Sequence, residues 1–217
     1  FGNQMLTSTT EEKENRVTEM ILTSIQARTL IIGKIISLLI LSLLQILIIL
    51  IPLIAGYLLL RGNLSLPDVD LTNIPFDVAR IAIGAVLFTL SFLLFTGLLV
   101  AIGSAAPSAK EGGKYFGFVM LLIFGPLYAA SLFVSSPEAA IVKVLSFLPL
   151  TAPIPLMLRN AVGNLSPLEV ILGIVILATS AGLVIAMAIR IFHYGTLEYG
   201  RRLPLKKFFD KKRTTAS

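Results

Sequence analysis

Four long apolar stretches, at about 35–60, 81–103, 115–135 and 168–192, alternate along this chain with shorter polar segments. The first, Ile35 to Leu60, is uncharged and would be about 39 Å long as a helix at roughly 1.5 Å per residue. That exceeds the roughly 30 Å of a bilayer's hydrocarbon core, so a tilted crossing is expected, with a kink at Pro52. The second and third are also long enough to cross, and the third carries Gly125-Pro126 near its middle, where a kink is expected. Gly113 and Gly117 have the spacing of a close helix contact. The pattern predicts an all-α integral membrane protein with four transmembrane helices.

Two segments depart from that pattern. Residues 8–34 read as an amphipathic helix, with Val17, Met20, Ile21, Ile25 and Arg28 on one stripe and Glu11, Glu12, Lys13, Glu14, Asn15, Arg16 and Glu19 on the other face. Ser8 or Thr9 followed by Glu11 or Glu12 fits a capping box, and the early glutamates suit a helix N-terminus. Such a helix, fused to a span, can pass force between a soluble partner and the bilayer. The other odd segment is 136–167. Its apolar part is short and interrupted by Pro149, Pro153 and Pro155, so it reads as a proline-rich re-entrant or interfacial hairpin that packs on the spans or lines a cavity. The resulting division is 1–34 as an amphipathic cytoplasmic segment, 35–192 as the transmembrane domain and 193–217 as a basic cytoplasmic tail.

Composition strengthens the membrane assignment and narrows the chemistry. The chain has 217 residues, 56% of them hydrophobic and 14% charged, with a mean hydropathy of +0.91. It opens on Phe1 with no basic n-region or cleavage site, and reads as a fragment or a processed chain. There is no cysteine, which excludes disulfides and thiolate metal sites. Of the 18 lysines and arginines, only Arg61, Arg80, Lys143 and Arg159 fall on one side of the predicted topology, so the opposite side, with residues 1–34, the 104–114 loop and the tail, is expected to be cytoplasmic.

The spans hold no ionisable residue in their interiors, as proton- or sodium-driven transport would usually need. Serine and threonine in spans are most often satisfied by their own helix. The residues that could line a substrate pathway are Ser37, Ser42 and above all Gln45, on one face of the first span. No catalytic or metal-binding constellation is legible: His193 has no second histidine or cysteine beside it and suits interfacial packing. Neither Gly33-Lys34 nor Gly113-Lys114 continues into a nucleotide-binding loop, so no cofactor is expected in this chain and any ATP and magnesium belong to a partner. Asn63 and Asn164 match the glycosylation acceptor pattern on the predicted outer side.

Three stretches resemble the permease subunits of type-2 ABC exporters, in particular the sodium-extrusion-like class. EEKENRVTEMILTSIQARTLIIGKI, from Glu11 to Ile35, is similar to that family's segment between its second and third spans. FLPLTAPIPLMLR, from Phe147 to Arg159, resembles its proline-rich outer hairpin, and RIFHYGTLEYGRRLPLKKFF, from Arg190 to Phe209, its basic C-terminal end. One departure is that relatives often carry proline after the Thr-Ser pair, where this chain has Ile25.

The resemblance implies that the amphipathic segment is a coupling helix docking on a separate ABC ATPase subunit through Glu12, Glu14, Asn15, Arg16, Glu19, Met20 and Thr23. It also implies a second permease subunit, in a homo- or heterodimer, six spans in the intact protein, and an outer hairpin marked by Pro149, Pro153, Pro155 and Arg159. A prokaryotic plasma membrane is the expected location, with membrane lipid as a partner and no nucleic acid. The bland alternative for the segment is a solvated or interfacial helix. Interfacial helices favour lysine and arginine on the polar face, whereas this one is acidic, which favours a protein partner. The tail, with Lys206, Lys207, Lys211, Lys212 and Arg213 around Phe208 and Phe209, suits an anionic leaflet. The rival classes are a secondary transporter or channel, which an intramembrane carboxylate or histidine pair would mark, and a membrane scaffold.

Overall fold

The computed structural model of the protein describes residues 6, 8–11, 24–60 and 77–197. Among these residues every regular element is helical. They are α1 (Ala27–Leu60), α2 (Val78–Ala105), α3 (Ala109–Phe124), a 3-10 turn (Gly125–Ala129), α4 (Ala130–Ser135), α5 (Ala140–Phe147), α6 (Pro153–Val162) and α7 (Pro167–Leu197). Four stretches are long and apolar enough to cross a membrane: Ala27–Leu59, Val78–Ala105, Lys110–Ser135 and Pro167–His193.

α2 is the centre of the bundle. Of its most apolar window 44% is buried, against 6% for α1. Its main partner is α7, which runs beside it in the same direction: Leu87 packs with Leu177 and Ala181, and Val100 and Ala101 with Ala188 and Phe192. In lipid, where apolar surface gains little by leaving the solvent, small residues let helix backbones approach for dispersion contacts. Gly97 does this here, since a Cβ at that position would lie 2.9 Å from Ile185 Cγ1.

α1 begins at Ala27, ahead of the uncharged run at Ile35, after a turn at residues 24–26. The missing proline after Ser24 therefore does not join the amphipathic segment and the span into one uninterrupted helix. The first turns of α1 are anchored, with Ala27, Ile31 and Ile35 buried against Val100, Ala101, Ala188 and Phe192. Its second half, beyond Ser42, is almost wholly exposed in the isolated chain, and the helix continues through Pro52.

The third crossing changes pitch midway. Pro126 has no N–H to give, so the α-helical ladder cannot continue unbroken, and the chain takes the tighter 3-10 turn before resuming as α4. Residues 136–166 then form two short helices, α5 and α6, with no single helix long enough to span.

These contacts sort the bundle into two ends. The start of α1 meets the ends of α2 and α7, and Leu6 and Thr10 lie beside them, with Leu6 buried against Leu99 and Val119 and Thr10 Oγ1 3.4 Å from the Gly103 carbonyl. At the opposite end, the starts of α2 and α7 meet the α5–α6 hairpin.

Candidate functional site

The hairpin end is built from a succession of start and stop signals. α5 ends at Phe147, and Leu148 to Ala152 turn the chain, with Ala152 N donating to Leu148 O at 2.8 Å and Thr151 Oγ1 to Leu145 O at 2.9 Å. Pro149 lies in this turn. Pro153 and Pro155 both fall in the first turn of α6, where backbone N–H groups have no intrahelical acceptor in any case, so the prolines start the helix at no hydrogen-bonding cost. α6 stops at Gly163, which has φ +83°, and the N–H groups of Gly163 and Asn164 both return to Arg159 O at 2.9 Å.

α7 starts directly afterwards with a reciprocal cap. Glu169 N donates to Ser166 Oγ at 3.3 Å, Ser166 N donates to Glu169 Oε2 at 2.9 Å, and Pro167 occupies the first helical position. The other carboxylate oxygen, Oε1, accepts from Arg159 Nη2 at 2.8 Å. Arg159 is completely buried; its Nη2 also donates to Asn164 O at 3.1 Å, and Nη1 lies 3.4 Å from Ser146 Oγ on α5. One guanidinium thus joins α5, the α6–α7 turn and the α7 cap.

Two amides extend the network to the other helices. Asn160 Nδ2 donates to Arg80 O at 2.9 Å, tying α6 to the start of α2, and Asn164 Nδ2 donates to Val134 O at 3.2 Å, tying the turn to α4. Asp77 caps α2 through Oδ1 and holds Arg80 Nε at 2.9 Å through Oδ2. The Arg80 guanidinium lies over Gly163, where a Cβ would be 2.6 Å from Arg80 Cζ. The outer end expected from charge counting is therefore a fastened cap of polar side chains.

Of the residues singled out in the sequence, Pro149, Pro153, Pro155 and Arg159 come together here. Ser37, Ser42 and Gln45 lie far along the chain on α1, and the two serines bond within their own helix, Ser37 Oγ to Gly33 O and Ser42 Oγ to Leu38 O, each at 2.8 Å. Ser42 is buried, while Ser37 and Gln45 are exposed. Glu12, Glu14, Asn15, Arg16, Glu19, Met20 and Thr23 lie outside the described residues. Sequence reasoning missed Glu169, Asn160 and Ser146. A signal existed for the first, because Ser166 followed three residues later by Glu169 before an apolar run is a capping box.

Three crossings packed with a central fourth, and a short helical hairpin fastened over one end, define a polytopic membrane protein. The chain belongs to the ABC-2 family transporter proteins, whose family model matches residues 1–190. It is similar to an uncharacterized protein of Methanocaldococcus jannaschii, 26% identical over 203 residues, covering 94% of this chain and 47% of that protein. It is also similar to the uncharacterized protein YhaP of Bacillus subtilis, 24% identical over 145 residues, covering 67% of this chain and 33% of YhaP. The chain thus spans about half the length, or less, of these curated relatives. No solved structure matches it significantly.

Proposed function

We propose that this chain is the translocating portion of an exporter permease driven by ATP hydrolysis in a separate ATPase subunit. Segment 8–34 is the coupling element, with Glu12, Glu14, Asn15, Arg16, Glu19, Met20 and Thr23 toward the ATPase, which holds the ATP and magnesium. The end of the bundle carrying this segment, the 104–114 loop and the basic tail faces the cytoplasm. A second permease subunit completes the pathway, with the exposed Ser37 and Gln45 of α1 toward it, and the hairpin with Arg159 closes the outer end.

The observation that carries this reading is the anchoring of α1. The segment leads through the turn at 24–26 into Ala27, Ile31 and Ile35, which are buried against the ends of both α2 and α7. A push on the segment is therefore delivered to three crossings at once, and packed helices answer as near-rigid bodies because close-packed interfaces do not deform continuously. α1 beyond Ser42 buries little in this chain, which leaves an apolar face for a second subunit or lipid.

The test is purification of the intact protein from detergent, with and without Glu12→Ala, Glu14→Ala and Arg16→Ala together, followed by identification of the accompanying chains. Recovery of an ATPase that the triple variant loses supports coupling through this segment. Failure to recover any ATPase with the unaltered protein contradicts it.

A further inference from the structure

Leu6, Thr9 and Thr10 are sunk into the turn between α2 and α3. Each is at most 2% exposed, although the sequence around them is polar and segment 8–34 begins there. Leu6 lies between Leu99 of α2 and Val119 of α3, and Thr10 Oγ1 donates to Leu6 O at 2.8 Å, with Gly103 O 3.4 Å away.

Two glycines make this approach possible. A Cβ on Gly103, in the last turn of α2, would lie 3.0 Å from Leu6 O and 3.2 Å from Thr9 Cβ. One on Gly112, in the first turn of α3, would lie 2.9 Å from Leu6 Cδ2. Neither glycine has a positive φ. Glycine is among the poorest helix formers, so its use in two helices that face the same side chain serves space rather than backbone shape. Gly113, the next residue of α3, has nothing within 4 Å of an added Cβ, so the close fit belongs to one face of that helix.

Segment 8–34 is thereby fastened at both ends. At its exit, Ala27, Ile31 and Ile35 pack on Val100, Ala101, Ala188 and Phe192, a cluster of α1, α2 and α7 to which α3 adds no side chain among the described residues. At its entry, Leu6 packs on α2 and on α3. Leu99 and Gly103 are four residues apart and share a face of α2, so the last turns of that helix stand between the two anchors. The exit anchor serves three crossings, and the entry anchor brings in the remaining one.

We propose that Gly103 and Gly112 are positioning residues for coupling: they form a socket that fastens the entry of segment 8–34 to the α2–α3 turn and carries the partner's motion into α3. The proposal rests on segment 8–34 being the coupling element. Close-packed contacts of this kind move as a unit instead of deforming, so a displaced segment takes the start of α3 with it. Gly103 meets the backbone of Leu6, which cannot rotate away, whereas Gly112 meets the tip of its side chain, which can. Gly103 is therefore the stricter of the two.

The test uses the intact protein with the ATPase recovered alongside it, in phosphatidylcholine nanodiscs, with every native cysteine of the permease replaced by serine. Before the ATPase is added, a bimane fluorophore is attached at Tyr128→Cys on the third crossing or at Leu59→Cys on α1, both strongly exposed positions. Emission is compared before and after addition of ATP with vanadate. Both positions are expected to respond in the otherwise unaltered protein. Gly103→Val is expected to abolish the response at position 128 while keeping the response at position 59 and the bound ATPase; Gly112→Val weakens the response at 128, and Gly113→Val keeps both. Helix content and thermal midpoint verify folding, and Leu6→Ala, which empties the socket, replaces Gly103→Val if the latter fails to fold. A response at position 128 that survives Gly103→Val, or one lost together with that at 59, overturns the socket and leaves the coupling reading standing. Silence at both positions in the unaltered protein overturns the coupling reading and the socket with it.

Discussion

Arg159 Nη2 donates to Glu169 Oε1 at 2.8 Å, and this pair joins the α5–α6 hairpin to the first turn of the last crossing. The arginine is completely buried and the Glu169 side chain 14% exposed, so neither charge is well hydrated and each depends on the other. Removing one partner of a buried pair is much worse than removing both, because the survivor is left charged and unpaired. Glu169→Gln is expected to lower stability by about 3 kcal/mol, and Arg159→Met combined with Glu169→Gln to recover most of that loss. Denaturant titration of the detergent-solubilised protein reads both; a double variant no better than the single one would show that the pair is not coupled.

Gly163 faces two constraints at once. Its φ of +83° is unfavourable for other residues by about 1–2 kcal/mol, and a Cβ there would meet the Arg80 guanidinium. Gly163→Ala should therefore destabilise, and adding Arg80→Ala should relieve the contact while leaving the backbone cost. Full recovery in the double variant would mean that the backbone conformation is not strained by alanine.

Helix crossings offer a contrast between two kinds of glycine. Gly97→Val is expected to part α2 from α7 and cost about 1–3 kcal/mol, as over-packed interiors do, with Ile185→Ala in the same chain easing it. Gly113 and Gly117 have nothing within 4 Å of an added Cβ. Gly113→Ala and Gly117→Ala should leave the subunit's own thermal midpoint unchanged. A midpoint lowered as far as by Gly97→Val would show that these glycines serve this chain's own packing.

The spans are legible in the sequence because lipid demands long runs without charge, a demand met at every position. Their ends are less so. α1 starts at Ala27, with Arg28 and Lys34 inside the helix, because a helix end is set by turns and caps while hydropathy marks only the apolar depth. The prolines of 149–155 correctly exclude one long helix, yet Pro153 and Pro155 act as the beginning of α6, which depends on where the turn before them closes. The partner of Arg159 is hidden for a different reason: it lies ten residues on, and only the left-handed turn at Gly163 brings Glu169 back to it.

As proposed above, segment 8–34 receives a partner and passes its motion into α1. Residues 1–217 contain no cysteine, so an introduced thiol is the only one among them, and any cysteine elsewhere in the intact protein is first replaced by serine. The most direct measurement places Glu14→Cys in the intact protein, attaches a short thiol-directed photo-crosslinker, irradiates membranes and identifies the captured chain by mass spectrometry, with Lys143→Cys on the hairpin as the comparison. Glu14→Cys is expected to capture an ATPase bearing a nucleotide-binding loop, and Lys143→Cys is not. Capture of the ATPase equally from both positions, or lipid alone from Glu14→Cys, would contradict it.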